Sequence, residues 1–242
     1  MVYFVRLAIN DLKNIVRDKF LVYATIILPI ALIVVSRLIF PWLAEEVFGF
    51  RAYFLMFFYI FLIMIPIVFG FITAFLIMDE RDQDLLKVLR VMPISRNTYL
   101  LYRMFFMSIF SFIYLLIFPV LSGLPDYFLS SKLTFIPYIP IAALLSLFTP
   151  LIALMGNVFA KNKVQTFAIF KISGTLFFVP IFGIFMTDNI RYFFGLVPNF
   201  WPFECFNILK NTGQLDLLPL GIGFAYHIII IAALFYMFNK KF

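Results

Sequence analysis

The sequence predicts an all-α membrane protein with six membrane-spanning helices, and three observations lead to this prediction. Hydrophobic residues make up 64% of the 242 residues and charged residues only 13%, against about 25% charged residues in a soluble domain. Several apolar segments exceed the ~18 residues that a membrane-spanning helix needs. Because the connections between these segments are short, the length leaves room for about six spans of ~20 residues and for no appended globular domain.

We therefore predict a single transmembrane domain over residues 1–242. Its six spans are expected at residues 20–40, 52–78, 99–120, 135–159, 164–186 and 217–238. Residues 2–18 show apolar and basic residues on opposite helical faces, which predicts an amphipathic helix lying in the membrane interface; a frayed start of the first span is the alternative. Gly70 and Ala74 lie one turn apart in the second span and are suited to close helix packing.

The distribution of Lys and Arg predicts the orientation in the membrane. With the amino terminus in the cytoplasm, 14 of the 19 Lys and Arg residues lie on the cytoplasmic side and five lie outside. We therefore expect a multi-pass protein of the cytoplasmic (inner) membrane, with both termini in the cytoplasm. The net charge of +7 reflects this topology, so that the lipid bilayer is the expected partner and nucleic acid is not.

The segment 79–98, DERDQDLLKVLRVMPISRNT, is the strongly charged run between the second and third spans. Helical spacing places four apolar residues on one face: Leu85, Leu86, Leu89 and Met92. Pro93 ends this helix, and Ser95 or Asn97 is expected to cap the next one. The pattern predicts a short cytosolic helix held between two spans; a solvated hairpin that only satisfies the positive-inside rule is the alternative.

The run from Glu80 to Ser95 resembles the cytoplasmic signature of ABC-2-type transporter permeases. In that family an acidic-basic-acidic start leads through a Gly-Thr-Leu-Glu segment and a leucine cluster to Thr-Pro-(Val/Ile)-Ser. The positions that match in register are Glu80, Arg81, Asp82, Leu86, Leu89, Pro93, Ile94 and Ser95. The chain departs from the family pattern at Asp84, Leu85, Lys87 and Met92. The interfacial helix, the six spans and a proline-containing outer segment before the last span are also similar to the family.

The resemblance implies the membrane subunit of an ATP-binding cassette exporter, with an ATPase as a separate nucleotide-binding subunit. ATP and Mg would be bound by that partner, because the chain contains no G-x-x-x-x-G-K-[ST] phosphate loop. No catalytic residue and no cofactor are therefore expected in this chain, which is not predicted to be an enzyme. The residues expected to couple to the ATPase are Glu80, Arg81, Asp82, Leu85, Leu86, Leu89, Pro93 and Ser95, with Arg6, Lys13 and Arg17 of the amino-terminal helix. A second permease copy or a sister permease would complete the exporter.

The expected cargo is a hydrophobic or amphipathic compound, namely a drug, an antibiotic or a peptide. Among families of this length, the two-permease multidrug exporters of fluoroquinolones look similar. Export of lantibiotics or other peptides fits equally well, and polysaccharide export fits less well. The alternative from another class is an ATP-independent secondary transporter or a non-transporting membrane scaffold. A secondary transporter usually keeps buried Asp or Glu residues for its coupling ions, and no acidic residue lies in the middle of a predicted span.

Residues 187–214 are too aromatic for an ordinary loop and too interrupted by proline for a span, which predicts short re-entrant helices on the outer side before the last span. The candidates for an outer gate are Pro198, Asn199, Phe200, Trp201 and Pro202. An interfacial aromatic anchor is the alternative interpretation of this segment.

Two further polar residues lie inside predicted spans. Lys171 either snorkels to the cytoplasmic edge or faces a substrate path. His227 is either a hydrogen-bonded packing residue or a proton or ligand site. The chain has only one His and one Cys, so that no metal site is predicted.

Overall fold

The computed structural model describes residues 9, 13, 15–47, 49–83, 95–123, 135–186 and 188–241, and these residues form helices without any strand. The α-helices are Lys19–Val22, Leu28–Val34, Phe40–Glu46, Phe50–Asp82, Arg96–Leu121, Phe135–Ser146, Phe148–Phe159, Lys163–Phe178, Phe200–Thr212 and Leu217–Lys241. Two π-helical turns cover Tyr23–Ile27 and Val35–Ile39, and two 3-10 helices cover Val179–Phe185 and Asp188–Leu196.

Six helical segments of the described chain are long and apolar enough to cross a membrane. Spans 1 to 6 are Lys19–Leu43, Met56–Asp82, Asn97–Leu121, Phe135–Phe159, Lys163–Gly183 and Leu217–Lys241. The predicted all-α class with six spans is therefore confirmed. Because six crossings bring the chain back to its starting side, span 1 begins and span 6 ends at one end of the bundle, called here the termini face; the other end is the opposite face.

Spans 2 and 4 form the centre of the bundle, and most of each is buried. They approach closely at Gly70, where an added Cβ would lie 2.7 Å from Ile152 Cβ and 2.7 Å from the Thr149 carbonyl oxygen. One turn further, Ala74 fits against Gly156, whose Cβ would lie 3.0 Å from that of Ala74. The close packing predicted from Gly70 and Ala74 is confirmed.

Prolines set the irregularities of the spans. Span 4 is interrupted at Leu147, three residues before Pro150, because the proline lacks an N–H and its ring clashes with the carbonyl group one turn earlier. In span 1 each π-helical turn directly precedes an α-helical segment that has proline at its second residue, Pro29 or Pro41. Span 4 is therefore built from two helices, Phe135–Ser146 and Phe148–Phe159.

The segment 79–98 divides between two span helices at its ends. Its first four residues, Asp79–Asp82, continue the helix of span 2, and Arg96–Thr98 form the first residues of the helix of span 3. The predicted end of span 2 at residue 78 is four residues too early, because nothing at 79–82 disfavours helix. Residues 84–94, which carry the predicted apolar docking face, lie outside the described residues, as do most of residues 2–18.

Candidate functional site

A buried ion pair at the termini face joins the ends of spans 2 and 3. The Glu80 carboxylate accepts a hydrogen bond from Arg103 Nε at 2.9 Å, contacts Arg103 Nη2, and accepts a third hydrogen bond from the Tyr99 hydroxyl at 2.7 Å. Both charged side chains are buried. A buried charge is tolerated when it is paired and hydrogen-bonded, so that this arrangement holds the two span ends in one fixed geometry on either side of the predicted coupling segment.

The end of span 2 is also fastened to the turn between spans 4 and 5. Asp79 forms an ion pair with Lys163, and Arg81 Nη2 donates a hydrogen bond to the Lys161 carbonyl oxygen at 2.6 Å. At span 6, Lys241 Nζ donates to the Val158 carbonyl oxygen at 2.8 Å, which ties its end to that of span 4. These contacts and the Glu80–Arg103–Tyr99 group form what we call the termini-face cluster.

Local capping places the helices that carry this cluster. Ser95 begins the helix of span 3, because its hydroxyl accepts a hydrogen bond from Thr98 N at 3.2 Å. Asn162 does the same for span 5 by accepting from Gln165 N at 2.9 Å, while the Gln165 side chain accepts from Lys161 N at 2.8 Å. This reciprocal arrangement resembles a capping box. Of the two caps predicted for span 3, Ser95 is the one used.

The remaining predicted coupling residues differ in what the structure describes. Asp82 is exposed and lies 3.9 Å from Arg81, and Lys13 and Arg17 are exposed at the start of the chain. The other members lie outside the described residues: Arg6, Leu85, Leu86, Leu89 and Pro93. The structure therefore brings Glu80 and Arg81 into the termini-face cluster and leaves the docking role of the segment as a prediction.

At the opposite face Asn199 links spans 2 and 5. Its fully buried side chain accepts a hydrogen bond from the Tyr59 hydroxyl at 2.6 Å and donates one to the Phe177 carbonyl oxygen at 2.6 Å. Span 5 changes from α-helix to 3-10 helix at Val179, and the 3-10 partner of Phe177 would be Pro180, which has no N–H. Asn199 supplies the donor that the backbone lacks.

The other predicted gate residues pack around this corner. Phe200 and Pro202 are buried, and Pro198 is half-buried. Trp201 is half-buried, and its Nε1 donates to the Gly195 carbonyl oxygen at 3.1 Å. These contacts are with protein, so that the segment is more closely bound to the bundle than an interfacial anchor needs to be.

Glu204 was missed by the sequence analysis. Its side chain is 1% exposed, and its carboxylate lies 2.8 Å from Arg191 Nη2, so that the helix Phe200–Thr212 is joined to the preceding 3-10 helix. Burial raises the pKa of Glu204, and the nearby guanidinium of Arg191 opposes this shift. The aromatic surroundings, PFECFN, were the available signal that this acid is not a loop residue.

Lys171 and His227 lie in different environments. His227 is fully buried, with Nδ1 2.8 Å from the Gly223 carbonyl oxygen and its ring against Phe148, and its Nε2 has no hydrogen-bond partner among the described residues. Lys171 is exposed, and its ammonium lies 4.8 Å from the centre of the Phe167 ring. No cluster of His, Cys, Asp or Glu that could hold a metal occurs among the described residues.

An apolar groove of about 540 Å³ opens between spans 3, 4 and 6. It is lined on three sides by residues such as Met104, Phe112, Leu147, Phe224 and Ile231. The described lining is almost entirely apolar, and the groove can therefore bind hydrocarbon but offers few polar groups to orient a charged ligand.

Six apolar helices joined at their ends by buried polar contacts define a multi-pass helical membrane protein. Comparison with known families identifies its class. The family model named Rv2686c-like, whose description is fluoroquinolones export permease protein Rv2686c-like, matches residues 11–235. The chain belongs to this family. This membership agrees with the resemblance to ABC-2-type permeases carried by the Glu80–Ser95 run, and it places the chain in a family of permease proteins.

Two relatives come from Mycobacterium tuberculosis. They are the fluoroquinolones export permease protein Rv2686c of strain ATCC 25618 / H37Rv and the fluoroquinolones export permease protein MT2760 of strain CDC 1551 / Oshkosh. Each is 28% identical to this chain over 239 residues, which cover 96% of this chain and 92% of the relative. No solved structure matches the chain.

Proposed function

We propose that this chain is the membrane subunit of an ATP-binding cassette exporter that moves amphipathic drugs of the fluoroquinolone kind out of the cell. The observation that carries the proposal is the position of Glu80. It is the first residue of the family-like signature, and it is also the acidic member of the buried ion pair that joins spans 2 and 3. A signature that starts inside the bundle is well placed to transmit a force to it.

The ATPase would be a separate subunit that binds ATP and Mg and contacts the segment 79–98 and the amino-terminal helix. In this proposal the termini face is cytoplasmic, as the excess of Lys and Arg on that side favours. A second copy of the permease, or a sister permease, would pair with this chain in the cytoplasmic membrane.

The termini-face cluster suggests how closure of the ATPase is coupled to movement of the spans. Glu80 and Arg103 hold spans 2 and 3 together, while Asp79 and Lys163 connect span 2 to span 5. When a closing ATPase dimer shifts the segment 79–98, these spans would have to move as one body, because charged pairs at low dielectric are costly to separate. The resulting tilt would be largest at the far ends of the spans.

Asn199 is the proposed latch of an outer gate formed by residues 198–202. Its side chain bonds to Tyr59 of span 2 and to the Phe177 carbonyl of span 5, so that opening between these spans must break one of the two hydrogen bonds. Buried hydrogen bonds of this type each contribute about 0.5–1.5 kcal/mol, an amount that a cycle driven by ATP can supply.

Fluoroquinolones are proposed as cargo because the relatives are named as fluoroquinolones export permease proteins. Other drugs, antibiotics and peptides are the wider class within which the cargo would fall.

The test is transport by inside-out vesicles that contain the permease and a candidate ATPase, taken first from any encoded next to the permease gene. We expect ATP-dependent uptake of a fluorescent fluoroquinolone, its loss on addition of orthovanadate, and co-purification of the two subunits in mild detergent. Uptake that ignores ATP and vanadate but collapses with a proton uncoupler would show a secondary transporter instead. No uptake under either condition, with no ATPase bound, would favour a scaffold.

A further inference from the structure

Lys171 lies well inside a membrane-spanning helix. It follows the first residue of span 5, Lys163, by eight residues, which places its Cα about 12 Å along the helix axis at ~1.5 Å per residue. The hydrocarbon core of a bilayer is about 30 Å thick. The ammonium lies 4.8 Å from the centre of the Phe167 ring, one turn nearer the termini face, so that it remains roughly 6 Å inside the span after snorkelling.

Two cations of the termini-face cluster have carboxylate partners, and Lys171 has none among the described residues. Arg103 pairs with Glu80, and Lys163 pairs with Asp79. Among the residues that the structure describes, no carboxylate lies within ion-pair distance of Lys171, whose side chain is exposed. A lysine that faces hydrocarbon is costly, and most intramembrane cations face the bundle interior or a water-filled cavity.

The face of span 5 around Lys171 is mixed in character. Ala168 and Thr175 are exposed near Lys171 at helical spacing, and so are the apolar side chains of Val164 and Phe167. The Thr175 hydroxyl donates to the Lys171 carbonyl oxygen at 3.0 Å. Small, polar and aromatic residues therefore lie next to Lys171 on this face.

An aromatic patch lies next to the ammonium. Phe71 of span 2 contacts Phe170 with ring centres 4.2 Å apart, Phe75 at 4.4 Å and Phe167 at 5.9 Å. Phe75 is half-buried, and Phe167 is exposed. A cation beside exposed aromatic edges matches a ligand that carries a carboxylate on a planar aromatic ring, since the charge can pair while the rings stack.

We propose that Lys171 binds the carboxylate of an aromatic acid as it passes through the exporter, with the phenylalanine patch packed against its ring. The proposal rests on the export function proposed above and specifies the cargo as an aromatic carboxylate. A lipid phosphate does not fit this role, because lipid head groups lie at the membrane surface and Lys171 lies below it.

The experiment compares a fluoroquinolone with its methyl ester, which keeps the ring system and removes the carboxylate. In inside-out vesicles that contain the permease and its ATPase, Lys171→Met should raise the apparent KM for the acid by about tenfold, the range expected when a charged hydrogen bond is lost. The ester should be transported equally by both proteins. Lys171→Arg should keep the preference for the acid. Lys240→Met, which removes an exposed charge near the end of span 6, should change neither the apparent KM for the acid nor the transport of the ester.

Binding of each probe to the purified permease, measured by its own fluorescence, separates the two proposals. If the acid binds the original protein tenfold more tightly than it binds the Lys171→Met variant, but neither the acid nor the ester is transported, the carboxylate site stands and the export function is wrong. If transport is ATP-driven but Lys171→Met keeps the preference for the acid, Lys171 is not the carboxylate site. Equal loss of acid and ester would mean a structural role for Lys171 and would also overturn the assignment.

Discussion

Replacing Arg103 by Met should lower the free energy of unfolding, because it breaks the buried ion pair with Glu80. The substitution leaves the carboxylate of Glu80 buried, with the Tyr99 hydroxyl as its one remaining hydrogen-bond donor among the described residues. The two charged side chains are only 11% and 8% exposed, so that the penalty for breaking a buried pair, about 3–5 kcal/mol, applies at its lower end.

A loss of about 3 kcal/mol corresponds to a fall in the unfolding midpoint on the order of 10 °C for a chain of this size. The assay is thermal unfolding of the purified permease in detergent. Asp82→Asn is the matched control, since Asp82 is exposed and its ion contact of 3.9 Å contributes under about 1 kcal/mol.

The double variant Arg103→Met with Glu80→Met decides what the pair does. Apolar residues of similar volume can replace a buried ion pair at little cost in stability, so that the unfolding midpoint should return close to its original value. If the pair also couples the spans, the amount of drug moved per ATP hydrolysed should still be reduced. A single variant as stable as Asp82→Asn would refute the reasoning on burial, and a double variant with full coupling would refute the role in transport.

Three further predictions address other parts of the protein. Leu86→Asp with Leu89→Asp should abolish ATP-driven transport while membrane levels stay normal on immunoblots; unchanged transport would mean that the ATPase docks elsewhere. Gly70→Ala should cost about 1–3 kcal/mol because the new Cβ would lie 2.7 Å from atoms of span 4, whereas Gly221→Ala, which meets nothing within 4 Å, should be neutral; equal unfolding midpoints would contradict this. The raised pKa of Glu204 means that the folded protein holds a proton that the unfolded chain releases, so that stability should fall as the pH rises above the carboxyl's ordinary pKa of 4.5. Glu204→Gln should remove that slope, and a slope that persists would assign it to another group.

Local patterns were sufficient to predict the features that depend on one segment of chain. Apolar length gives the spans, because a helix in hydrocarbon must satisfy its own backbone hydrogen bonds. Gly70 and Ala74, one turn apart, predict a close contact without naming the partner helix, and Ser95 before a helical run predicts its cap. In each case the physical cause lies within a few residues of the feature.

The contacts that give the candidate site its character join distant positions. Tyr59 and Asn199 are 140 residues apart, and no periodicity in either segment indicates that they meet. The pairing of Glu80 with Arg103 depends on how far each helix extends before and after the segment between them, and helix ends are the least predictable part of a pattern. Glu204 escaped notice because burial outside a span depends on tertiary packing.

The hydrogen bond between Asn199 and the Phe177 carbonyl also has a consequence for how the protein is made. Residue 199 leaves the ribosome 22 residues after residue 177, so that span 5 is synthesised while the backbone acceptor next to Pro180 still lacks its donor. Water at the far membrane surface can satisfy that acceptor until the later segment arrives, but hydrocarbon cannot. With the termini face cytoplasmic, as proposed above, span 5 should settle at its final depth only after residues 198–202 have crossed and docked, which makes the order of translation part of the assembly of the bundle.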